Sequence, residues 1–160
     1  MTERRTVALA GHLGDPETAR RGLEHSDPAV RATALTALER LGEFTDGDLV
    51  AAFADPDPGV RQRAATVAAT HRGVDLGPLL ADDDPSVAEA AAWACGEHEH
   101  VGDEVLAALI SLAGGEGPGE DALVRESAVA ALGAIADDRG LDAILHATAD
   151  RTAVRPPPRR

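Results

Sequence analysis

The chain has 160 residues and a formal net charge of −13; every basic side chain is an arginine. This surplus of carboxylates repels phosphate backbones and anionic lipid headgroups, which excludes nucleic-acid and membrane-surface partners. The apolar 44% is mostly Ala, Leu and Val with 2% aromatic, a mix suited to closely packed helices rather than sheets, and the single Cys excludes an internal disulfide.

The first segment, "MTERRTVALAGHLGD", carries two Arg but too short an apolar stretch for a secretory signal. No later run approaches the roughly 20 apolar residues that span a bilayer. One cytoplasmic domain is therefore expected. "PETARRGLEHS" (16–26) reads as a first short helix with little apolar surface. "DPAVRATALTALERLG" (27–42) comes next as a longer one. Asp caps the free amides at its start, and Pro fits the first turn, where no intrahelical bond is lost. "DGDLVAAFAD" (46–55) is short and amphipathic, with Leu49 and Phe53 four apart. "DPGVRQRAATVAATHR" (57–72) repeats the Asp-Pro start. Leu76, Leu79 and Leu80 mark a very short helix, and "DPSVAEAAAWACGEHE" (84–99) a third long one. "DEVLAALISLA" (103–113) is amphipathic through Val105 and Leu109.

"AGGEGPGED" (113–121) reads as a flexible insertion in a turn. Its glycines raise the question of a phosphate loop, but it has no Lys-Ser/Thr and no strand before it. "DALVRESAVAALGAIA" (121–136) is the fourth long helix. Leu141, Ile144 and Leu145 mark a last short one over 139–149. "DRTAVR" (150–155) starts another long helix, which the prolines of "PPPRR" stop.

The long helices are copies of one pattern. Their anchors, Val30, Val60, Val87 and Val124, are 30, 27 and 37 residues apart, and Val154 stands 30 later. Four residues after each anchor stands Ala34, Ala64, Ala91 or Ala128. Eight after it stands Leu38, Ala68, Cys95 or Leu132. Offsets 0, 4, 7, 8 and 11 form one helical face. Each unit is thus a first helix, a turn and a second helix. None can bury its apolar face alone, and stacking them gives an α-solenoid. The expected domain is 1–155, with second helices at about 28–41, 58–71, 85–97 and 121–136. The Pro/Arg tail 156–160 then truncates a fifth repeat. The last helix lacks its partner, and self-association would bury the apolar surface left uncapped.

"DPxVRxxAxxAL" after a short helix resembles the HEAT repeat, in particular the short variety of phycobilin lyases, over about residues 5 to 155. The resemblance implies an all-α, right-handed superhelical solenoid whose second helices line a concave binding surface. It also implies a ladder between a turn Asp, matched by Asp55 and Asp82, and the Arg after the anchor, matched by Arg31, Arg61, Arg125 and Arg155. Ala88 stands where the third Arg belongs. That breaks the ladder and is expected to leave Asp82 without an intra-repeat partner.

The densest cluster of reactive residues is "WACGEHEH" (93–100). Cys95 falls on a core offset and acts there as a small hydrophobe. His71 and His98 share offset 11 in adjacent repeats and, with Cys95, could face one groove. Glu97, Glu99 and His100 fall in the exit turn. A zinc site needs about four converging ligands. Cys95 and His98 are only three apart, His98 and His100 point to different sides, and no second ligand pair at standard spacing appears, so no metal is assigned. HEAT-like deoxyhypusine hydroxylases place His-Glu pairs at the start of second helices. Here those positions hold Arg31-Ala32, Arg61-Gln62, Ala88-Glu89 and Arg125-Glu126, which argues against that activity.

Offsets 2, 3, 6 and 10 point away from the core. In the middle repeats this stripe holds Gln62, Arg63, Thr66, Glu89, Trp93 and Glu97. A lone Trp among small polar residues is the composition of a binding hot spot. The expected function is a non-enzymatic scaffold that binds a protein partner on the concave face, without cofactor. An accessory subunit resembling the phycobilin lyases, which attach a tetrapyrrole to an acceptor protein, is the alternative. DNA binding, as in HEAT-like alkylpurine glycosylases, needs a basic groove and is opposed by the sign of the charge.

Overall fold

A computed structural model describes residues 2–153, with side chains to residue 149. Its ten α-helices are α1 (Glu3–Leu13), α2 (Pro16–Gly22), α3 (Pro28–Leu41), α4 (Asp46–Phe53), α5 (Pro58–Ala68), α6 (Gly77–Leu80), α7 (Pro85–Gly96), α8 (Asp103–Ala113), α9 (Ala122–Ile135) and α10 (Leu141–Ala153). There is no strand among the described residues.

The starts of the second helices come from local chemistry. Asp27, Asp57, Asp84 and Asp121 each accept a hydrogen bond from the backbone N–H two residues on, at Ala29, Gly59, Ser86 and Leu123. In the first three a Pro occupies the first turn. Thr45 and Asp48 form a reciprocal capping box that starts α4.

The helices sort into two layers. α3, α5, α7 and α9 stack in chain order, while α2, α4, α6, α8 and α10 each pack against a member of that stack. The chain is an all-α solenoid of stacked helical repeats. The repeat offsets build its core: the four anchor valines and the alanines four residues on are all at most 2% exposed, and so are Leu38, Ala68, Cys95 and Leu132. Small residues at these positions let neighbouring helices approach closely.

Several features differ from the sequence expectation. Residues 3–13 form α1, which packs on α3 as a further member of the second-helix layer. Val7, Ala10 and Gly11 are its buried face. A Cβ at Gly11 would lie 2.8 Å from Ala37 Cα, so only glycine permits this approach. α5 ends at Ala68, three residues short of the expected end, where Ala69 and Thr70 turn. The glycine-rich insertion is folded: Gly117–Glu120 is a 3-10 turn packed on α8 and α9, with Gly119 buried. α10 runs through Asp150 to Ala153 rather than stopping for a fresh helix. Val154, Arg155 and the tail 156–160 lie outside the described residues. No helix of the described residues is long and apolar enough to cross a membrane.

Candidate partner-binding face

All six residues of the predicted stripe lie on the second-helix layer, on α5 (Gln62, Arg63, Thr66), on α7 (Glu89, Trp93) and at the α7 cap (Glu97). Trp93 is 46% exposed, a large indole held in solvent on a helix that is otherwise Ala-rich. Arg63 and Glu97 are exposed; Gln62, Thr66 and Glu89 are half-buried. The Thr66 hydroxyl donates to Gln62 O at 2.9 Å.

The N-terminal part of this face adds residues outside the predicted stripe. Arg4, Thr33 and Thr36 line a cavity of about 490 Å³ together with Ala32, Asp57 and Arg63. Arg4 reaches across from α1 and donates from Nε to Thr33 Oγ1 at 3.3 Å. The Thr33 hydroxyl in turn donates to Ala29 O at 2.7 Å. Offsets 3 and 6 of the first repeat pointed to Thr33 and Thr36, but only the position of α1 adds Arg4. The available signal was the helical spacing of Val7, Ala10 and Gly11.

Charge is unevenly placed. Among the described residues Arg63 has no ion-pair partner, and the terminal nitrogens of Arg4 make no hydrogen bond. The one carboxylate lining the cavity, Asp57, is committed to capping α5 through Gly59 N at 2.9 Å. Around Trp93 the charged neighbours in sequence are Glu89 and Glu97, of opposite sign.

The ladder is resolved and its connectivity corrects the sequence reading. Arg31 grips Asp55 with Nε and Nη2 at 2.8 and 2.7 Å, and Arg61 grips Asp82 in the same way at 2.7 and 2.8 Å. Each Arg therefore reaches forward into the next repeat. Asp82 is not left without a partner by Ala88: its partner is Arg61. The third rung is missing at both ends, because Gly119 occupies the turn position equivalent to Asp55 and Asp82. A Cβ at Gly119 would lie 2.3 Å from Leu112 O. Hydrogen bonds from Arg31 and Arg61 hold the carboxyls of Asp55 and Asp82 below the ordinary carboxylate value. In the first repeat His25 takes the acceptor's place: its Nδ1 accepts from Asp27 N at 2.9 Å, as Asp55 Oδ1 accepts from Asp57 N and Asp82 Oδ1 from Asp84 N.

The "GEHEH" segment divides. Cys95 is fully buried, and burial pushes its thiol up to about 12. His98 is 6% exposed, with Nε2 at 2.9 Å from Ala68 O, which ties the exit of α7 to the end of α5. His71 is directed elsewhere: its ring stacks edge-on against Phe44, and Nδ1 lies 3.4 Å from Asp46. Cys95, His98 and His100 border one cavity of about 470 Å³, and His71 is not in its wall. Among the described residues no three His, Cys, Asp or Glu side chains converge as a metal site would need. Glu99 pairs with Arg72 at 3.1 Å.

Known proteins resemble the chain at the level of this repeat. A sequence model of the family described as HEAT repeats matches residues 73–155. No curated protein matches the chain. The crystal structure of an engineered protein superposes with a TM-score of 0.55 at 21% identity, covering 92% of this chain and 74% of that one. At that identity the likeness is one of fold.

Proposed function

The chain belongs to the HEAT-repeat family, and on that premise we propose that it is a non-enzymatic scaffold that binds a protein partner along the concave, second-helix face. The observation that carries this reading is Trp93, 46% exposed on the middle of that face. An indole joins a large apolar area to a polar N–H, and solvent exposure leaves that apolar area open to burial by a partner. The flanking Arg63, Gln62, Thr66, Glu89 and Glu97 supply the polar rim that surrounds such an anchor in an interface. The compartment we assign is the cytoplasm.

The test is capture from lysate of the source cell with wild-type and Trp93→Ala baits, the captured protein being identified and its affinity then measured directly. A partner lost on substitution, with circular dichroism unchanged, supports the reading. Equal capture by both baits counts against the face.

We extend the proposal to self-association. Leu123, Leu141 and Leu145 are 60%, 53% and 56% exposed at the C-terminal end of the stack. Sedimentation velocity should show concentration-dependent association that Leu141→Asp with Leu145→Asp abolishes. A strictly monomeric wild type would refute it.

A further inference from the structure

We propose that the second-helix face from α1 to α7 takes an acidic peptide segment of a protein partner. A carboxylate of the peptide is held between Arg4 and Arg63, and an apolar side chain a few residues along is laid on Trp93. This rests on the scaffold reading above and names the chemistry of its partner.

Three observations carry it. The first is charge. In a chain of net charge −13, the charged side chains lining this cavity are the two guanidiniums and the single carboxylate of Asp57, which caps α5, so the lining carries a net positive charge. At physiological ionic strength charges act over about 8 Å, so a carboxylate inside this cavity responds to the local pair rather than to the whole molecule. The second is preorganisation. Thr33 accepts from Arg4 Nε and orients the fork, whose terminal nitrogens are left for a ligand. The threonine hydroxyls donate inward, Thr33 to Ala29 O and Thr36 to Ala32 O. Donors for an anion must therefore come from the arginines, and a planar guanidinium fork matches a carboxylate. The third is adjacency. Arg63 and Trp93 stand on neighbouring stacked helices, α5 and α7, whose axes are expected about 8–10 Å apart. The cavity itself extends from α3 to α5, so an acid within it lies one to two such spacings from Trp93, the reach of about three to six residues of extended peptide.

The face also restricts the peptide beyond its apolar residue. Glu89 and Glu97 flank Trp93 on α7 and at its cap, so a further acid there meets like charge. The pattern favoured is acid, then a large apolar residue, then neutral or basic residues. A continuous polyanion is disfavoured by the same two glutamates.

A phage-displayed library of random dodecapeptides, selected on the wild-type chain, tests this. Selected peptides are synthesised and titrated by the fluorescence of Trp93, the sole tryptophan. The expected result is enrichment of Asp or Glu within about six residues of a large apolar residue. The Arg4→Glu, Arg63→Glu double variant should bind these peptides at least roughly tenfold more weakly, the scale of one lost charge-assisted hydrogen bond. Selection on that variant should favour Lys or Arg instead. Arg21→Glu on α2, outside the face, makes the same charge change per site and should leave affinity and selection unaltered. Peptides that depend on Trp93 but carry no acid would overturn this inference and leave the scaffold reading standing. If neither the wild type nor the double variant enriches any peptide, both are overturned.

Discussion

Arg61→Ala removes the central rung of the ladder and should destabilise the chain by about 2 kcal/mol. The Arg61 side chain is 18% exposed and that of Asp82 9%. Its loss takes away two charge-assisted bonds at 2.7 and 2.8 Å and one to Asp55 O at 2.9 Å, and leaves the Asp82 carboxylate largely buried and unpaired. Breaking a fully buried pair costs about 3–5 kcal/mol, and partial exposure reduces that. For a chain of this size about 2 kcal/mol lowers Tm by about 4–8 °C. The fold supplies its own controls. Arg31 makes the same bidentate contact with Asp55 at similar exposure, so Arg31→Ala should cost the same within about 0.5 kcal/mol. Among the described residues Arg125 has no carboxylate in its rung and reaches Gly119 O, at 3.4 Å, so Arg125→Ala should cost under about 1 kcal/mol. The assay is urea denaturation monitored by circular dichroism and Trp93 fluorescence together, because a solenoid can lose its repeats one after another. The pH dependence comes from the lowered carboxyl of Asp82. A depressed carboxyl contributes stability that is complete above its unfolded value, about 3.9, and is lost as pH falls through the lower folded value. The difference between wild type and Arg61→Ala should thus be constant near neutrality and shrink as pH falls through the carboxylate range. Equal costs for Arg61→Ala and Arg125→Ala would refute the ladder as the source of the energy.

Other outcomes test the core and its ends. Leu38→Ala, at a position with no exposed surface, should cost about 2–4 kcal/mol in the same denaturation experiment. Cys95 should resist a thiol reagent at pH 8 in the native chain and react fully in urea, because its thiol is buried and raised to about 12. Gly11→Val should prise α1 from Ala37, read as loss of amide-exchange protection in residues 3–13 while α5 to α9 keep theirs. Co-expression with a bilin and an acceptor protein should give no coloured adduct; a covalent visible adduct would move the chain to the lyase-like alternative.

Some of this protein is written locally in its sequence. Asp-Pro starts of second helices are readable because a cap and its amide are two residues apart, as at Asp57 and Gly59. The buried offsets are readable because Val60, Ala64 and Ala68 share a face by helical periodicity alone. The exposure of Trp93 comes from the same count. Other features depend on how one repeat sits on the next, which no single repeat encodes. The forward reach of Arg61 to Asp82, the separation of His71 from His98 and the seating of α1 on α3 are of this kind. Arg4 joins Arg63 only because Gly11 lets two backbones meet closely enough to bring α1 to that face. Short-range chemistry determined the repeat, and the packing between repeats decided which charges meet.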